Sequence, residues 1–228
     1  MRERASPNHG PRPERTPVDM LVLHYTGMKS AAEAIERLCD PRAQVSAHYV
    51  VEENGTVWRL VEESRRAWHA GVSCWRGQRD VNSRSIGIEI VNPGHEWGYR
   101  DFPAAQMEAV AQLSRAILGR HPIPARNVVG HSDVAPLRKQ DPGERFDWAF
   151  LARQGVGLWP LSEAAPAPAS DAYALLARYG YDLDPDNAKN RTAVVAAFQR
   201  HFAPAAVSGR FDAPSLAMLG RLNAAISD

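Results

Sequence analysis

The chain has 228 residues, 44% of them hydrophobic and 23% charged, the balance of a globular protein and not of a disordered one. Twenty-seven basic against 26 acidic residues leave a formal charge of +1, too weak a field to imply nucleic acid or an anionic membrane as a partner. No stretch approaches the ~20 consecutive apolar residues that a membrane-spanning helix needs.

The opening segment, MRERASPNHGPRPERTPVD, carries basic residues with no apolar run behind them and does not read as a secretory signal. The expectation is therefore a cytoplasmic protein, with the periplasm as the alternative if a signal has been removed. Cys39 and Cys74 lie far apart outside any C-x-x-C spacing and are expected to be buried free thiols. Val18 to His24 is a short apolar run of strand type, followed by a Thr-Gly turn signal. Ser30 and Glu33 form a capping box that opens a helix running to about Cys39, where Asp40-Pro41 ends it. Ala47 to Val51 and Val57 to Val61 flank an Asn-Gly and predict a hairpin.

In Ser85 to Val91 the residues Ile86, Ile88 and Ile90 alternate with Ser85, Gly87 and Glu89, so a strand here puts Glu89 on the face opposite the isoleucines. Pro103 opens an amphipathic helix to about Leu118. Val128 to Gly130 reads as one more short strand, and the Gly- and Pro-punctuated stretch after it reads as loop. Leu161 to Ser170, rich in alternating Ala and Pro, is expected to be a stiff linker between residues 1–160 and residues 171–228. Beyond it, three helical patterns carry Leu175, Leu176 and Tyr179; Val194, Val195, Phe198 and Phe202; and Leu216, Leu219 and Leu222. The fold class is an α/β domain followed by a small three-helix domain.

Among eight histidines, His24 ends a strand and His131 follows another, and strand ends are where side chains converge on a common site. With Asp141 they make a three-ligand set that leaves a fourth position on zinc for water, although each histidine equally has an ordinary hydrogen-bonding reading. Glu89, an acid inside an apolar strand, is either a solvated strand residue or a partly desolvated general base. Lys139 is either a solvated loop lysine or an ammonium that stabilises an oxyanion. His48 and His69, each beside an aromatic residue, line a cleft or simply pack. Nucleophile-elbow, dinucleotide-binding and P-loop signatures are absent.

LVLHYTG, SAHYVVEENGTVWRLV, AWHAG, NSRSIGIEIVNPG and VVGHSDVAPLRKQDPGERFDW, in this order, resemble the zinc-dependent N-acetylmuramoyl-L-alanine amidases of the type-2 amidase family, related to peptidoglycan recognition proteins. The resemblance covers roughly residues 5 to 160. It implies a mixed central sheet flanked by helices and one zinc ion held by His24, His131 and Asp141. It also implies that Glu89 acts on the attacking water and that Lys139 stabilises the tetrahedral intermediate, with His48, Trp68 and His69 as substrate contacts. The substrate is peptidoglycan or a soluble anhydromuropeptide, cut between the muramic acid and L-alanine. A recognition module that binds muropeptide without cutting it is the alternative, but its third ligand position is usually altered where this chain has Asp141. The tail, with VVAAFQRHF and SGRFDAPSLAML, is similar to the small helical peptidoglycan-binding domain often attached to cell-wall hydrolases.

Overall fold

The computed structural model describes residues 1–160 and 165–226. Among these the strands are β1 (Arg2–Glu3), β2 (His9–Pro11), β3 (Met20–Tyr25), β4 (Tyr49–Val51), β5 (Val57–Arg59), β6 (Arg65–Ala67), β7 (Ser85–Ile90) and β8 (Val128–Gly130). The helices are α1 (Ala31–Cys39), α2 (Val81–Arg84), α3 (Gly94–Trp97), α4 (Ala104–Arg120), α5 (His131–Val134), α6 (Trp148–Arg153), α7 (Ala172–Tyr179), α8 (Ala188–Phe202) and α9 (Ala213–Ala225). No helix among the described residues is long and apolar enough to cross a membrane.

Six strands form a mixed sheet in the order β1-β5-β4-β7-β3-β8. Strand β3 lies between β7 and the edge strand β8, parallel to both. The period of two in these strands gives the sheet two dissimilar faces. Leu21, Leu23, Ile86, Ile88 and Ile90 point to one side, where Met107, Val110 and Ile117 of α4 and Leu151 of α6 close a core over them. Met20, Val22 and Val129 point to the other, into a second core. His24 and Glu89 stand directly opposite each other in the parallel register of β3 and β7, on the same side as Met20 and Val22. The functional face of the sheet is thus the continuation of a packed face, and its side chains begin where the aliphatic ones stop.

Helices α7 to α9 cover that second core. Leu176, Tyr179, Phe198 and Phe202 pack in one cluster with Met20, Val22, Trp75 and Val129 of the sheet domain. Trp75 meets the Tyr179 and Tyr181 rings edge-on at 5.8 and 5.1 Å, and the Arg76 N–H donates to the Gly180 carbonyl at 2.8 Å. The C-terminal segment is therefore a layer of the fold, sharing a core with the sheet. Residues 161–164 of the expected linker lie outside the described residues. Its remainder is docked and not free: Ala167 is buried and its N–H donates to the Leu216 carbonyl at 2.9 Å. Gly220 of α9 makes room for this crossing, since a methyl group there would meet the Ala165 and Ala167 backbone.

The predicted helices α1, α4 and α7 to α9 and the predicted strands are present, with the hairpin strands trimmed to three residues each. Ser30 caps α1 by accepting from the Glu33 N–H at 3.2 Å, whereas Asp171 begins α7 without a side-chain capping bond. The stretch after β8, expected to be loop to Trp148, contains α5, and α6 begins at its last residue. The two cysteines are free as expected, but only Cys74 is buried; Cys39 is half-buried.

One ion-pair cluster ties the hairpin to the end of α4. The Glu63 carboxylate accepts from the Tyr49 hydroxyl at 2.7 Å, Arg120 Nη2 at 2.6 Å and His121 Nε2 at 2.7 Å. Burial pushes its pKa up, but these three bonds outweigh burial and hold it down to about 2. A carboxyl depressed in the folded state stabilises above its unfolded pKa, near 4.5, and loses that contribution as the pH falls towards 2. Because the carboxylate keeps some contact with solvent, Glu63→Gln is expected to cost only about 1–2 kcal/mol at pH 7. Urea unfolding should show the gap between wild type and variant closing between pH 4.5 and 2.

Candidate active site

Strand β3 delivers His24 at its end and β8 delivers His131 one residue beyond its own, so adjacent parallel strands bring the two rings together. The loop after α5 returns Asp141 to them, and the Ser132 N–H donates to the Asp141 carbonyl at 2.9 Å to hold that return. His24 Nδ1, His131 Nδ1 and Asp141 Oδ2 then lie 2.9, 3.0 and 3.1 Å from one another. All three residues are buried.

The outer partners of these rings fix where their protons are. Ser85 Oγ donates to the Val81 carbonyl at 2.6 Å, so it accepts from His69 Nε2 at 3.1 Å. His69 Nδ1 is then the acceptor for His24 Nε2, 3.0 Å away. His131 Nε2 faces the Ala70 carbonyl at 3.1 Å, which can only accept. In its neutral form each ring therefore turns an unprotonated Nδ1 inward, against a carboxylate oxygen. Burial, with His131 alongside, pushes His24 down to about 4 against the pull of Asp141, and burial pushes His69 well below its ordinary value. Three lone pairs converge with no proton between them, a donor set suited to a cation. Their spacing is close to the ~3.3 Å edge of a tetrahedron with ligands about 2.0 Å from a zinc ion.

Two backbone features support this inner set. Asn82 Oδ1 accepts from the His69 and Ala70 N–H groups at 3.1 and 2.8 Å, which aims the Ala70 carbonyl at His131. Gly87 has no side chain because the His69 ring lies over it; a Cβ there would sit 2.5 Å from the ring.

A cleft of about 660 Å³ opens over this set, and Glu89, Lys139, Trp68 and His69 line it together with His131 and Asp141. Glu89 Oε2 is buried without a hydrogen-bond partner among the described residues. Burial, and then the Asp141 charge, push the Glu89 carboxyl well above its ordinary value, with Lys139 opposing. His48 is not in the cleft. It is fully buried, its Nδ1 accepting from the Gly87 N–H at 3.0 Å and its Nε2 facing the Arg65 carbonyl at 3.1 Å, so it packs beneath His69 and presents no surface to the cleft. His69 borders the cleft, but both its nitrogens are engaged inside the protein. The cleft also includes two residues with no signal in the sequence: Trp97, half-exposed, and Lys29, whose ammonium lies 4.4 Å from the Trp97 ring centroid.

A mixed sheet with a buried His, His, Asp donor set at its strand ends, and an orphaned carboxylate beside it in an open cleft, defines a hydrolase with a metal-type site. Residues 14–144 match the Amidase_2 family model, described as N-acetylmuramoyl-L-alanine amidase. The chain belongs to this family, hydrolases of the amide between N-acetylmuramic acid, or its 1,6-anhydro form, and L-alanine. The N-acetylmuramoyl-L-alanine amidase AmiD of Escherichia coli K12 is 39% identical over 225 residues, covering 88% of this chain and 80% of that protein. The 1,6-anhydro-N-acetylmuramyl-L-alanine amidase AmpD of the same organism is 35% identical over 161 residues, 63% of this chain and 86% of that one. Escherichia coli AmiD in complex with anhydro-N-acetylmuramic acid-L-Ala-D-γ-Glu-L-Lys superimposes with a TM-score of 0.80 at 37% identity, over 96% of this chain and 91% of that one. AmpDh3 from Pseudomonas aeruginosa in complex with anhydromuramic pentapeptide gives 0.82 at 32% identity, over 97% and 95%.

Proposed function

We propose that this amidase works with one zinc ion held by His24, His131 and Asp141. The observation that carries the proposal is the convergence of two unprotonated imidazole nitrogens and a carboxylate oxygen within 3.1 Å, which a cation stabilises and which is otherwise self-repelling. When bound, zinc lowers the pKa of a water towards about 7 and polarises the amide carbonyl. Glu89 takes the proton of the attacking water and delivers it to the leaving L-alanine nitrogen. Its unpartnered Oε2 is available for this, and a nearby cation would oppose the upward push that burial and Asp141 give its carboxyl. Lys139 offsets the charge that grows on the carbonyl oxygen of the substrate. Trp68 and Trp97 are the cleft surfaces offered to sugar and stem peptide, while His69 orients His24 through its Nδ1.

The proposed substrate is the soluble anhydromuropeptide, the kind of molecule bound in the related AmiD and AmpDh3 complexes. The cytoplasm is the compartment that goes with it, and two free thiols fit a reducing environment. Digestion of a soluble anhydromuropeptide and of intact sacculi, read by mass spectrometry with zinc content assayed and a chelator control, tests all of this. Release of stem peptide from the soluble substrate alone, abolished by chelator, is expected. Release from sacculi as well moves the enzyme to the periplasm. No release from either by zinc-loaded protein overturns the catalytic reading in favour of a binding module.

A further inference from the structure

The loop that carries His131 is anchored by a carboxylate whose partners come from the C-terminal helices. Asp133 is fully buried. Its Oδ2 accepts from the Gly130 N–H at 2.7 Å, closing the turn from β8 into α5 directly before His131. The same oxygen accepts from His201 Nδ1 at 2.7 Å, and Oδ1 accepts from the Tyr181 hydroxyl at 2.7 Å, from residues 68 and 48 positions away. The His201 ring is held flat against Trp148, centroids 3.7 Å apart and 18° between planes, and against Phe202 at 3.8 Å. Trp148 in turn lies over Gly130. A buried carboxylate with one backbone partner would be short of donors and free to rotate; with three it is locked, and so is the turn that aims His131.

We infer that His201 and Tyr181 are positioning residues for the metal site, so that the C-terminal helices complete the active centre from behind, acting through Asp133 and the Gly130–His131 turn. The inference rests on the zinc reading above. It makes the segment after residue 165 part of the catalytic machinery, whatever else its outer surface contacts. In metalloenzymes, changes in the groups that orient ligands typically cost about 10–100-fold in metal affinity or activity, and here the effect passes through one further residue.

The test uses the full chain. His201→Phe keeps a flat ring between Trp148 and Phe202 but removes the donor, and Tyr181→Phe removes a single oxygen. Each is expected to raise the zinc dissociation constant about tenfold in a chelator competition. Each is also expected to shift the visible absorption of the cobalt(II)-substituted protein and to lower kcat, with KM for a soluble muropeptide unchanged. His201→Asn, which places an amide N–H near the position of Nδ1, is expected to restore much of the affinity. Folded variants with wild-type zinc affinity and cobalt spectrum would show that the contact serves stability alone and would overturn the inference. If His201→Phe does not fold, Tyr181→Phe decides by the same readings. A wild-type protein that binds neither metal overturns the zinc reading itself, which is a different result.

Discussion

Glu89→Gln is expected to bind zinc with wild-type stoichiometry and to lose about 10²–10⁴-fold in kcat, the range that a positioned general base supplies. The expectation follows from the register of two parallel strands. Because His24 and Glu89 are directly paired across β3 and β7, the carboxylate is placed beside the ligand set and outside it, and nothing else among the described residues bonds its buried Oε2. An acid that ligated the ion or braced a ligand would have a partner; one kept free and desolvated is poised for proton transfer. Glutamine matches the shape and removes the basic oxygen, so metal content stays while turnover falls. A second consequence distinguishes this site from a structural one. A buried, unpartnered carboxylate is a cost to the fold, so Glu89→Gln should melt no lower than wild type, the trade of stability against activity seen at working sites. Metal analysis, steady-state kinetics and a thermal melt on one preparation check all three, and a fully active Glu89→Gln protein would remove Glu89 from the proton-transfer role.

The sequence showed what local periodicity and strand ends carry. Alternation in Ser85 to Ile90 placed Glu89 opposite the isoleucines, and the positions of His24 and His131 at strand ends brought them together as the fold does. Helices with an apolar stripe, α1, α8 and α9 among them, were legible for the same reason. What was not legible depends on distant pairing. Strand β2 contains Pro11 and β6 is mostly arginine, and each is a strand only because the other pairs with it. His48 and His69 sit in similar sequence surroundings, each next to an aromatic residue. Only tertiary contacts make one a packed histidine bonded to backbone and the other a link in the chain from Ser85 to His24. His201 reads as an ordinary helix-end residue until Asp133, 68 positions away, is placed beside it. The Ala/Pro stretch suggested a tether; instead the helices beyond it bury the same face of the sheet that carries the site.

Asp141→Ala is expected to behave in the opposite way to Glu89→Gln, losing both the metal and the activity. Asp141 Oδ2 is the one anionic donor of the set, 3.0 Å from His24 Nδ1 and 3.1 Å from His131 Nδ1. Without it two neutral imidazoles remain, one ligand short of the three that a catalytic zinc site requires. The backbone bond from the Ser132 N–H to the Asp141 carbonyl does not involve the side chain, so the loop has reason to keep its course and the defect to stay local. Activity should fall by at least about 10³-fold, since the Lewis acid and the activated water are lost together. The metal dependence of stability gives an independent reading. A ligand that binds only the folded state raises the melting temperature in proportion to the logarithm of its concentration. Wild type should therefore melt higher as zinc is added, while Asp141→Ala should melt at one temperature across the same titration. If Asp141→Ala instead retains one equivalent of zinc and the zinc-dependent rise, the third ligand lies elsewhere. Glu89, the other acid at this end of the cleft, would then have to be weighed as a ligand and no longer as the base.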